Sequence, residues 1–375
     1  METVVLKTHL KEGLEITEHV ATKSLSLPIL SNVLLSAKKE EVRLSATDLQ
    51  MGITYQFLGA TKEEGSVVFP GRFLASLLAV SSDERVSLLS QGQTLLVATG
   101  DHQASLKTVN TEEFPIIPSL EGSEPSVEME TEAFCRGLRQ VVGMAGQSQA
   151  RPEISGILFV LEKKTARVVA TDSFRLAERK FVFEREGSLE QTFILPSKTA
   201  RELIAVLGER PGKTTIYVSP TQAVFAYEAA ESPSRLRIQI VTRLIEGEYP
   251  HYEDIIPSSY KTLIGVTKND FFNHLKAAGI FAGKTQEVRL SVDSQKKEVA
   301  FFSENTEAGS HRSTLKGEVA GESVEVAFNW RFLSEGLVQM RGERVELRLN
   351  GEDGPALLRP VEEVGYLYVV MPIKA

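Results

Sequence analysis

Residue types that carry out chemistry occur in this 375-residue chain, but their spacing does not assemble a reaction centre. Its single cysteine, Cys135, lies beside Phe134 on a predicted amphipathic helix, which favours a partly buried structural thiol over a nucleophile. The six histidines follow no metal-ligand pattern such as H-E-x-x-H. A core or surface role is favoured for each of them: His9, His19, His102, His251, His274 and His311.

Two further motifs invite a chemical interpretation. The stretch Gly208–Thr214 looks like a phosphate-binding loop, but it is one residue short of G-x-x-x-x-G-K-[ST] and holds Pro211 where backbone donors are needed. It also runs from helix to strand, the reverse of the order that aims a helix N-terminus at phosphate, so it is interpreted as a turn. Asp48 and Asp172 share a Thr-Asp frame, yet these residue types commonly form turns at strand ends, and no acid–base pair is compelling.

Three basic residues occupy the same place in three similar segments. Arg72, Lys198 and Arg331 each stand near the start of a predicted helix that follows a β-type run. A cation in the first turn of a helix faces the positive end of the helix dipole, at a cost of roughly 0.3–1 kcal/mol. Three such residues in register suggest an external anion, whereas pairing with a neighbouring carboxylate is the alternative.

These segments belong to a larger unit that recurs three times along the chain. Each copy is predicted to run in the order β-α-β-β…β-α-β-β, and proline- and charge-bearing stretches separate the copies. The first helix of each copy is predicted at His9–Ala21, Ala133–Ala145 and Asp270–Ala282. The repeat predicts three similar α+β domains, at residues 1–121, 127–248 and 249–375.

The composition is that of an ordinary globular protein, with 42% hydrophobic and 25% charged residues. One cysteine excludes an internal disulfide framework and fits a reducing compartment. No stretch resembles a signal peptide or is long enough to span a bilayer, so we expect a cytoplasmic protein without a membrane partner. The net charge of −8 argues against a uniformly basic nucleic-acid binder but permits a local basic lining.

Five stretches, taken together and in order, resemble the bacterial DNA polymerase III β subunit, the sliding-clamp family. They are Leu27–Asn32, Arg151–Phe159, Ala170–Ala177, Gly247–Pro250 and Tyr368–Ile373. The resemblance spans the whole chain and includes the threefold repeat. It implies three tandem repeats of a two-helix, antiparallel-sheet domain, with two chains joined head to tail into a six-domain ring whose helices line the hole.

Members of this family encircle duplex DNA, slide along it, and hold the replicative polymerase on its template without a catalytic site or cofactor. The implied partners are a second copy of the chain, double-stranded DNA, the polymerase α subunit, the clamp loader, and other polymerases and repair proteins with clamp-binding peptides. Phosphate contacts of an inner wall carry no sequence information. The DNA-binding residues expected from the repeat and the resemblance are Lys23, Arg72, Arg136, Arg139, Arg151, Lys198, Lys276, Lys284 and Arg331.

The resemblance also implies a hydrophobic cleft between the second and third domains that receives short linear peptides. Carried over by position, its residues are Ile154, Thr171, Ser173, Phe174, Arg175, Leu176, Pro250, Ile255, Val369, Val370, Met371, Pro372 and Ile373. Without the family, an ordinary buried last strand is the favoured interpretation of the final stretch. The matches for the subunit contact are Ala104 and Leu106 in the first domain and Ile280 and Phe281 in the third.

Some positions depart from the family pattern. Phe174 stands where some members have a histidine, Asp254 where a basic residue can occur, and Ser24 where an arginine is expected. These changes bear on the rim of the cleft and on one DNA contact. Two other classes remain open from the residues alone: a three-domain enzyme with a site around Asp172 and His251 at a domain joint, and a purely structural repeat protein.

Overall fold

The computed structural model describes residues 1–21, 26–100, 102–118, 127–148, 150–183, 190–229 and 235–374. The chain divides into two compact units. Unit 1 comprises Met1–Arg136, Glu186–Glu190 and Lys198–Leu244, and unit 2 comprises Gly137–Arg185, Gln191–Ser197 and Ile245–Ala375.

The first repeat alternates strands and helices in the predicted order. Its elements are β1 (Glu2–Leu6), α1 (Lys7–Glu18), β2 (Val33–Lys38), β3 (Glu41–Thr47), β4 (Met51–Glu63), β5 (Gly65–Phe69), α2 (Gly71–Val80), β6 (Arg85–Gln91), β7 (Thr94–Ala98) and β8 (Gln103–Lys107).

The second repeat has the same order of elements. They are β9 (Val127–Glu130), α3 (Thr131–Val142), β10 (Gly156–Leu161), β11 (Thr165–Thr171), β12 (Arg175–Val182), β13 (Gln191–Pro196), α4 (Ser197–Leu207), β14 (Lys213–Val218), β15 (Gln222–Glu228) and β16 (Arg237–Arg243).

The third repeat keeps that order and adds one strand, β21. Its elements are β17 (Thr262–Thr267), α5 (Lys268–Gly279), β18 (Glu287–Asp293), β19 (Glu298–Asn305), β20 (Gly309–Lys316), β21 (Glu318–Gly321), β22 (Val324–Asn329), α6 (Trp330–Gln339), β23 (Arg344–Leu349), β24 (Ala356–Pro360) and β25 (Tyr366–Val370). The triplicated α+β fold predicted from the sequence is therefore confirmed. The first helix of each repeat begins two residues earlier than predicted, at Lys7, Thr131 and Lys268.

Unit 1 is built on a 12-stranded sheet that crosses from the first repeat into the second. Its long path runs β8-β7-β6-β1-β4-β16-β15-β14-β9, and β2, β3 and β5 complete it. The crossing is the antiparallel pairing of β4 with β16, in which Met51 lies opposite Thr242 and Gln56 opposite Arg237. We call this pairing, together with the turn before β4 (residues 48–50) and linker residues 115–118, the first joint.

Unit 2 contains a nine-stranded sheet, ordered β13-β10-β11-β12-β25-β24-β23-β17-β21, and a four-stranded sheet, ordered β20-β19-β18-β22. Here the second and third repeats meet where β12 pairs antiparallel with β25. Arg175 lies opposite Val370, and Arg179 opposite Tyr366. We call this the second joint.

The helices bury the stripes that their 3.6-residue periodicity predicts. Leu10 and Leu14 of α1 are fully buried, and so are Phe271 and Leu275 of α5. Helix α1 packs against α2, and α5 packs against α6. Among the described residues, no helix is both long enough and apolar enough to cross a membrane.

Candidate functional site

The basic residues predicted to be in register occupy the same position of three helices. Arg72, Lys198 and Arg331 are each the second residue of α2, α4 and α6, and all three side chains are exposed. They share this position because each helix starts one or two residues after the end of a strand, so the repeat fixes where the side chain emerges.

Their neighbours differ. The Lys198 ammonium lies 2.5 Å from the Asp48 carboxylate, so the ion-pair alternative holds for this residue within unit 1. The Arg72 guanidinium lies 4.8 Å from the ring centroid of Phe73, and the Arg331 guanidinium lies 5.9 Å from that of Trp330. Each arginine can therefore rest its flat face on an adjacent ring while its donors remain available to an anion.

The other predicted DNA contacts are surface residues with varied surroundings. Arg139 and Lys276 lie in the last turns of α3 and α5, where the helix dipole favours a cation, and both are exposed. Lys284, after α5, is exposed too. Arg136 pairs with Glu132 at 2.9 Å, and Arg151 pairs with Glu153 at 3.1 Å. Lys23 and Ser24 lie outside the described residues.

The predicted peptide cleft falls within unit 2, at the second joint. Leu176 of β12 lies opposite Val369 of β25, and both join a buried apolar cluster that also contains Tyr249 and Tyr252. The Phe174 carbonyl accepts a hydrogen bond of 2.8 Å from the backbone N–H of Met371. Strand pairing therefore brings the middle of the chain and its last strand together, as the resemblance implies.

Burial divides the predicted cleft residues into a floor and a rim. The floor is buried and consists of Ile154, Thr171, Leu176, Val369, Val370 and Pro372. Residues with side chains accessible at the rim are Ser173, Phe174, Arg175, Pro250, Ile255, Met371 and Ile373. The last strand is thus a buried strand, as its apolar pattern favours, and it also supplies backbone and rim to the joint.

The turn before β12 is held by its own side chains. The Asp172 carboxylate accepts backbone N–H bonds from Phe174 and Arg175, both at 3.0 Å, and Thr171 Oγ1 accepts from the N–H of Ser173 at 3.1 Å. Ser173 has a φ of 78°, in the left-handed region. This turn presents Phe174, which is 61% exposed, at the surface.

Helix α6 adds two rim residues that the sequence did not reveal. Arg175 forms ion pairs with Asp172 and with Glu335, and its guanidinium lies 4.4 Å from the Phe332 ring centroid. Phe332 also stacks on Phe174, with ring centroids 6.4 Å apart. Burial opposes the charge of Arg175, but its anionic and hydroxyl neighbours outweigh it and raise the pKa. No local pattern identifies Phe332 or Glu335, because their role depends on where α6 lies beside β12.

Two candidate contact strands lie at sheet edges, one in each unit. Within the described residues, β8 and β20 are the two strands that contain no buried residue. Ala104 and Leu106 of β8 are half-buried. Ile280 is 73% exposed, and Phe281 stacks on His311 of β20 with ring centroids 5.9 Å apart.

The residues that the sequence offered as candidates for catalysis or metal binding are not arranged as a reaction centre. Cys135 is fully buried, and its thiol donates to the Leu203 carbonyl at 3.6 Å. Within Gly208–Thr214, residues 208–212 connect α4 to β14, as predicted for a turn, and the last two residues begin β14. Among the described residues, no group of three or more His, Cys, Asp or Glu side chains is placed to hold a metal ion. Asp172 is engaged by the turn and by Arg175, and His251 is exposed, so the enzyme alternative gains no support.

Three copies of one two-helix, antiparallel-sheet module define the architectural class of this chain. Comparison with models of protein families identifies the family. Models of the DNA polymerase III beta subunit match residues 1–118 (N-terminal domain), 128–251 (central domain) and 253–374 (C-terminal domain). The chain therefore belongs to the DNA polymerase III beta subunit family.

Individual relatives agree over the full length. A beta sliding clamp of Synechococcus elongatus is 24% identical over 383 residues, which cover 100% of this chain and 99% of the relative. A crystal structure of a DNA polymerase sliding clamp from Bacillus subtilis has a TM-score of 0.92 at 21% identity and covers 100% of this chain and 99% of that chain. A DNA polymerase III beta subunit from Thermotoga maritima has a TM-score of 0.88 at 25% identity, with the same coverage.

Proposed function

We propose that this chain is a sliding clamp, the processivity factor of a replicative DNA polymerase. Two copies close head to tail into a ring around duplex DNA, and the ring is retained by topology rather than by tight binding. We propose three domains, at 1–121, 127–248 and 249–375. The clamp is non-catalytic and acts in the cytoplasm, on the nucleoid.

The observation that carries the proposal is the recurrence of an exposed cation at the second position of α2, α4 and α6. A cation there opposes the helix dipole. Asp48 balances Lys198, but none of the ion pairs formed within the described residues includes Arg72 or Arg331, so an external polyanion accounts for the recurrence better than helix stability does. A few such contacts give weak, salt-sensitive attraction to phosphate without sequence readout, which suits a sliding ring. Arg139, Lys276 and Lys284 add exposed charge of the same sign.

Charge reversal tests this assignment. The triple variant Arg72→Glu, Lys198→Glu and Arg331→Glu should load poorly onto nicked circular DNA in the presence of a clamp loader, because phosphate contacts become repulsive. A matched control reverses three exposed cations on or beside strands, Lys38→Glu, Arg85→Glu and Lys261→Glu, with the same change in net charge. Equal loading by the two variants would refute the DNA-binding assignment.

Ring closure is proposed to use the two strands without buried residues. Strand β8 ends the long path of the sheet in unit 1, and β20 ends the four-stranded sheet in unit 2. An unpaired strand edge is a ready site for pairing with another chain. Pairing β8 of one copy with β20 of another would cover Leu106 and the exposed Ile280 and would link unlike surfaces, the arrangement that closes a ring.

Partner peptides are proposed to dock at the second joint. An accessible apolar rim, Phe174, Ile255 and Met371, over a buried floor suits anchor residues of short peptides from the polymerase α subunit, the clamp loader and repair proteins. Deleting Met371–Ala375 should abolish peptide binding while the ring still assembles. The backbone N–H groups of Met371 and Ile373 are hydrogen-bonded to Phe174 and Ala327, so Phe174→Ala serves as a second variant that leaves these bonds intact. Retained micromolar binding in both would contradict the cleft assignment.

A further inference from the structure

The first joint contains a cleft of its own, entirely within unit 1. Its volume is about 110 Å³, and it is lined among others by Leu49, Met51, Pro115, Ile117, Val241 and Arg243. The cleft lies where the turn before β4 meets the end of β16 and the linker that follows the first repeat. Neither the DNA contacts nor the cleft at the second joint uses these residues.

The repeat places equivalent elements at the two joints. The turn before β4 has the same frame as the turn before β12: Asp48 Oδ1 accepts the backbone N–H bonds of Gln50 and Met51, as Asp172 does for its own turn. In both turns the residue after the aspartate has a positive φ, 72° at Leu49 and 78° at Ser173. The first joint therefore has the same turn geometry as the second joint, with different side chains around it.

The size of the cleft limits its occupant. Ligand sites for small molecules measure roughly 300–1,000 Å³, so this cleft is too small for a cofactor. An apolar cavity of roughly 150 Å³ accommodates one benzene molecule. A volume of about 110 Å³ therefore fits a single aliphatic side chain.

Leu49 is an unusual residue for its place. It has a φ of 72° and is 43% exposed. A bulky side chain in the left-handed region costs roughly 1–2 kcal/mol, which a glycine at this position would avoid. Ile116, which also lines the cleft, is 94% exposed. A strained leucine and an exposed isoleucine at one rim point to an apolar contact that forms on binding.

Arg243 supplies the charge at the rim. It is exposed, and it takes part in none of the ion pairs formed within the described ranges. Its backbone N–H is held by the Gln50 carbonyl at 2.9 Å, so the residue is anchored beside the turn. A guanidinium in this position is complementary to a carboxylate next to the apolar anchor of a ligand.

We propose that the first joint is a second docking site, which takes a short acidic peptide through one aliphatic side chain flanked by a carboxylate. The aliphatic side chain enters between Leu49 and Ile117, and the carboxylate pairs with Arg243. This site shares no residue with the cleft proposed at the second joint.

Methyl NMR on the full chain tests the proposal, with isoleucine δ1 methyls labelled. The probe is the peptide Ac-Gly-Asp-Leu-Asp-Gly-NH₂, and two control peptides replace its leucine by serine or both aspartates by asparagine. The expected result is a saturable shift of the Ile116 and Ile117 signals at millimolar probe, with weaker binding of both control peptides. Arg243→Glu should weaken probe binding about tenfold or more. Leu49→Gly should also weaken it, and its relieved backbone keeps the fold intact.

The matched control is Arg85→Glu, an exposed arginine on β6 with the same charge change, which should bind the probe as the wild type does. Three results would overturn the proposal. The Ile116 and Ile117 signals stay unchanged, the two charge reversals bind alike, or only Ile255 and Ile373 shift, which would place the probe at the second joint. Shifts of Ile116 and Ile117 that follow protein concentration without probe would assign the cleft to a second copy instead.

Discussion

At both joints an antiparallel strand pair continues a sheet from one repeat into the next. The side chains around the paired strands differ between the two joints. The first joint pairs β4 with β16, and the second pairs β12 with β25. At the first, Tyr55 of β4 donates to Glu12 at 2.6 Å, and Arg210 pairs with the same carboxylate at 2.5 Å. At the second, Arg179 of β12 pairs with Glu363 at 2.8 Å.

The difference lies in burial. The side chains of Glu12 and Arg210 are 36% and 21% exposed, whereas those of Glu363 and Arg179 are 10% and 15% exposed. Gln140 donates to Glu363 as well, at 3.1 Å. The second joint is thus held by a more deeply buried polar network, in which removing one member leaves a poorly solvated charge.

The two joints should differ most in how much free energy of unfolding is lost when the central carboxylate of each network is removed. Glu363→Ala should lower the free energy of unfolding by about 3 kcal/mol, because the largely buried Arg179 guanidinium loses the carboxylate that balances its charge. Glu12→Ala should lower it by about 1–2 kcal/mol, because water reaches Arg210 but not the Tyr55 hydroxyl. Urea unfolding followed by circular dichroism measures both. Equal losses would show that burial does not distinguish the joints.

A glycine under a tyrosine ring is common to both joints and should respond alike. An added Cβ at Gly13 would lie 2.5 Å from the Tyr55 ring, and one at Gly336 would lie 2.5 Å from the Tyr368 ring. Gly13→Ala and Gly336→Ala should each lower the free energy of unfolding by about 1–2 kcal/mol, since overpacking outweighs the gain in helix propensity. Thermal melts of the two variants check this. A stabilised alanine variant at either site would mean that the ring shifts freely.

Acid should affect the first joint through Glu12, and this is the smallest expected effect. Burial alone would raise the pKa of Glu12, but the hydrogen bonds from Tyr55 and Arg210 outweigh it and hold the pKa below its ordinary value of 4.5. Because the pKa is lower in the folded state, the contribution of Glu12 is present above that value and is lost as the pH falls through the folded pKa.

The Glu12→Gln variant has no carboxylate at this position, so it lacks this pH-dependent contribution at every pH. The difference in free energy of unfolding between wild type and Glu12→Gln should therefore shrink as the pH falls below about 4.5. Urea titrations at a series of pH values measure the difference. A gap that stays constant or widens in acid would remove Glu12 from the stability of this joint.

The repeat itself was predictable because its signals are local. The period of Leu10 and Leu14, or of Phe271 and Leu275, identifies the helices without knowledge of their partners. The sequence alone also shows that Arg72, Lys198 and Arg331 occupy the same position in the three repeats. The structure confirms these elements, with helix starts shifted by two residues.

The environment of the site residues was not predictable, because it depends on side chains distant in sequence. Asp48 and Lys198 form an ion pair across 150 positions, and Arg175 contacts Glu335 across 160. The crossing of β4 to β16 joins strands that no local pattern relates. The resemblance placed Phe174 and Met371 in one cleft, but Phe332 entered only with the packing of α6.

The central claim, retention by enclosure, is tested most directly by loading the protein onto nicked circular DNA and then cutting the circle. We expect a complex with twice the chain mass of 41.3 kDa that stays on the circle through gel filtration and is released when the DNA is linearised. A protein that stays bound to linear DNA with open ends, or one that is monomeric and never retained on the circle, would contradict it.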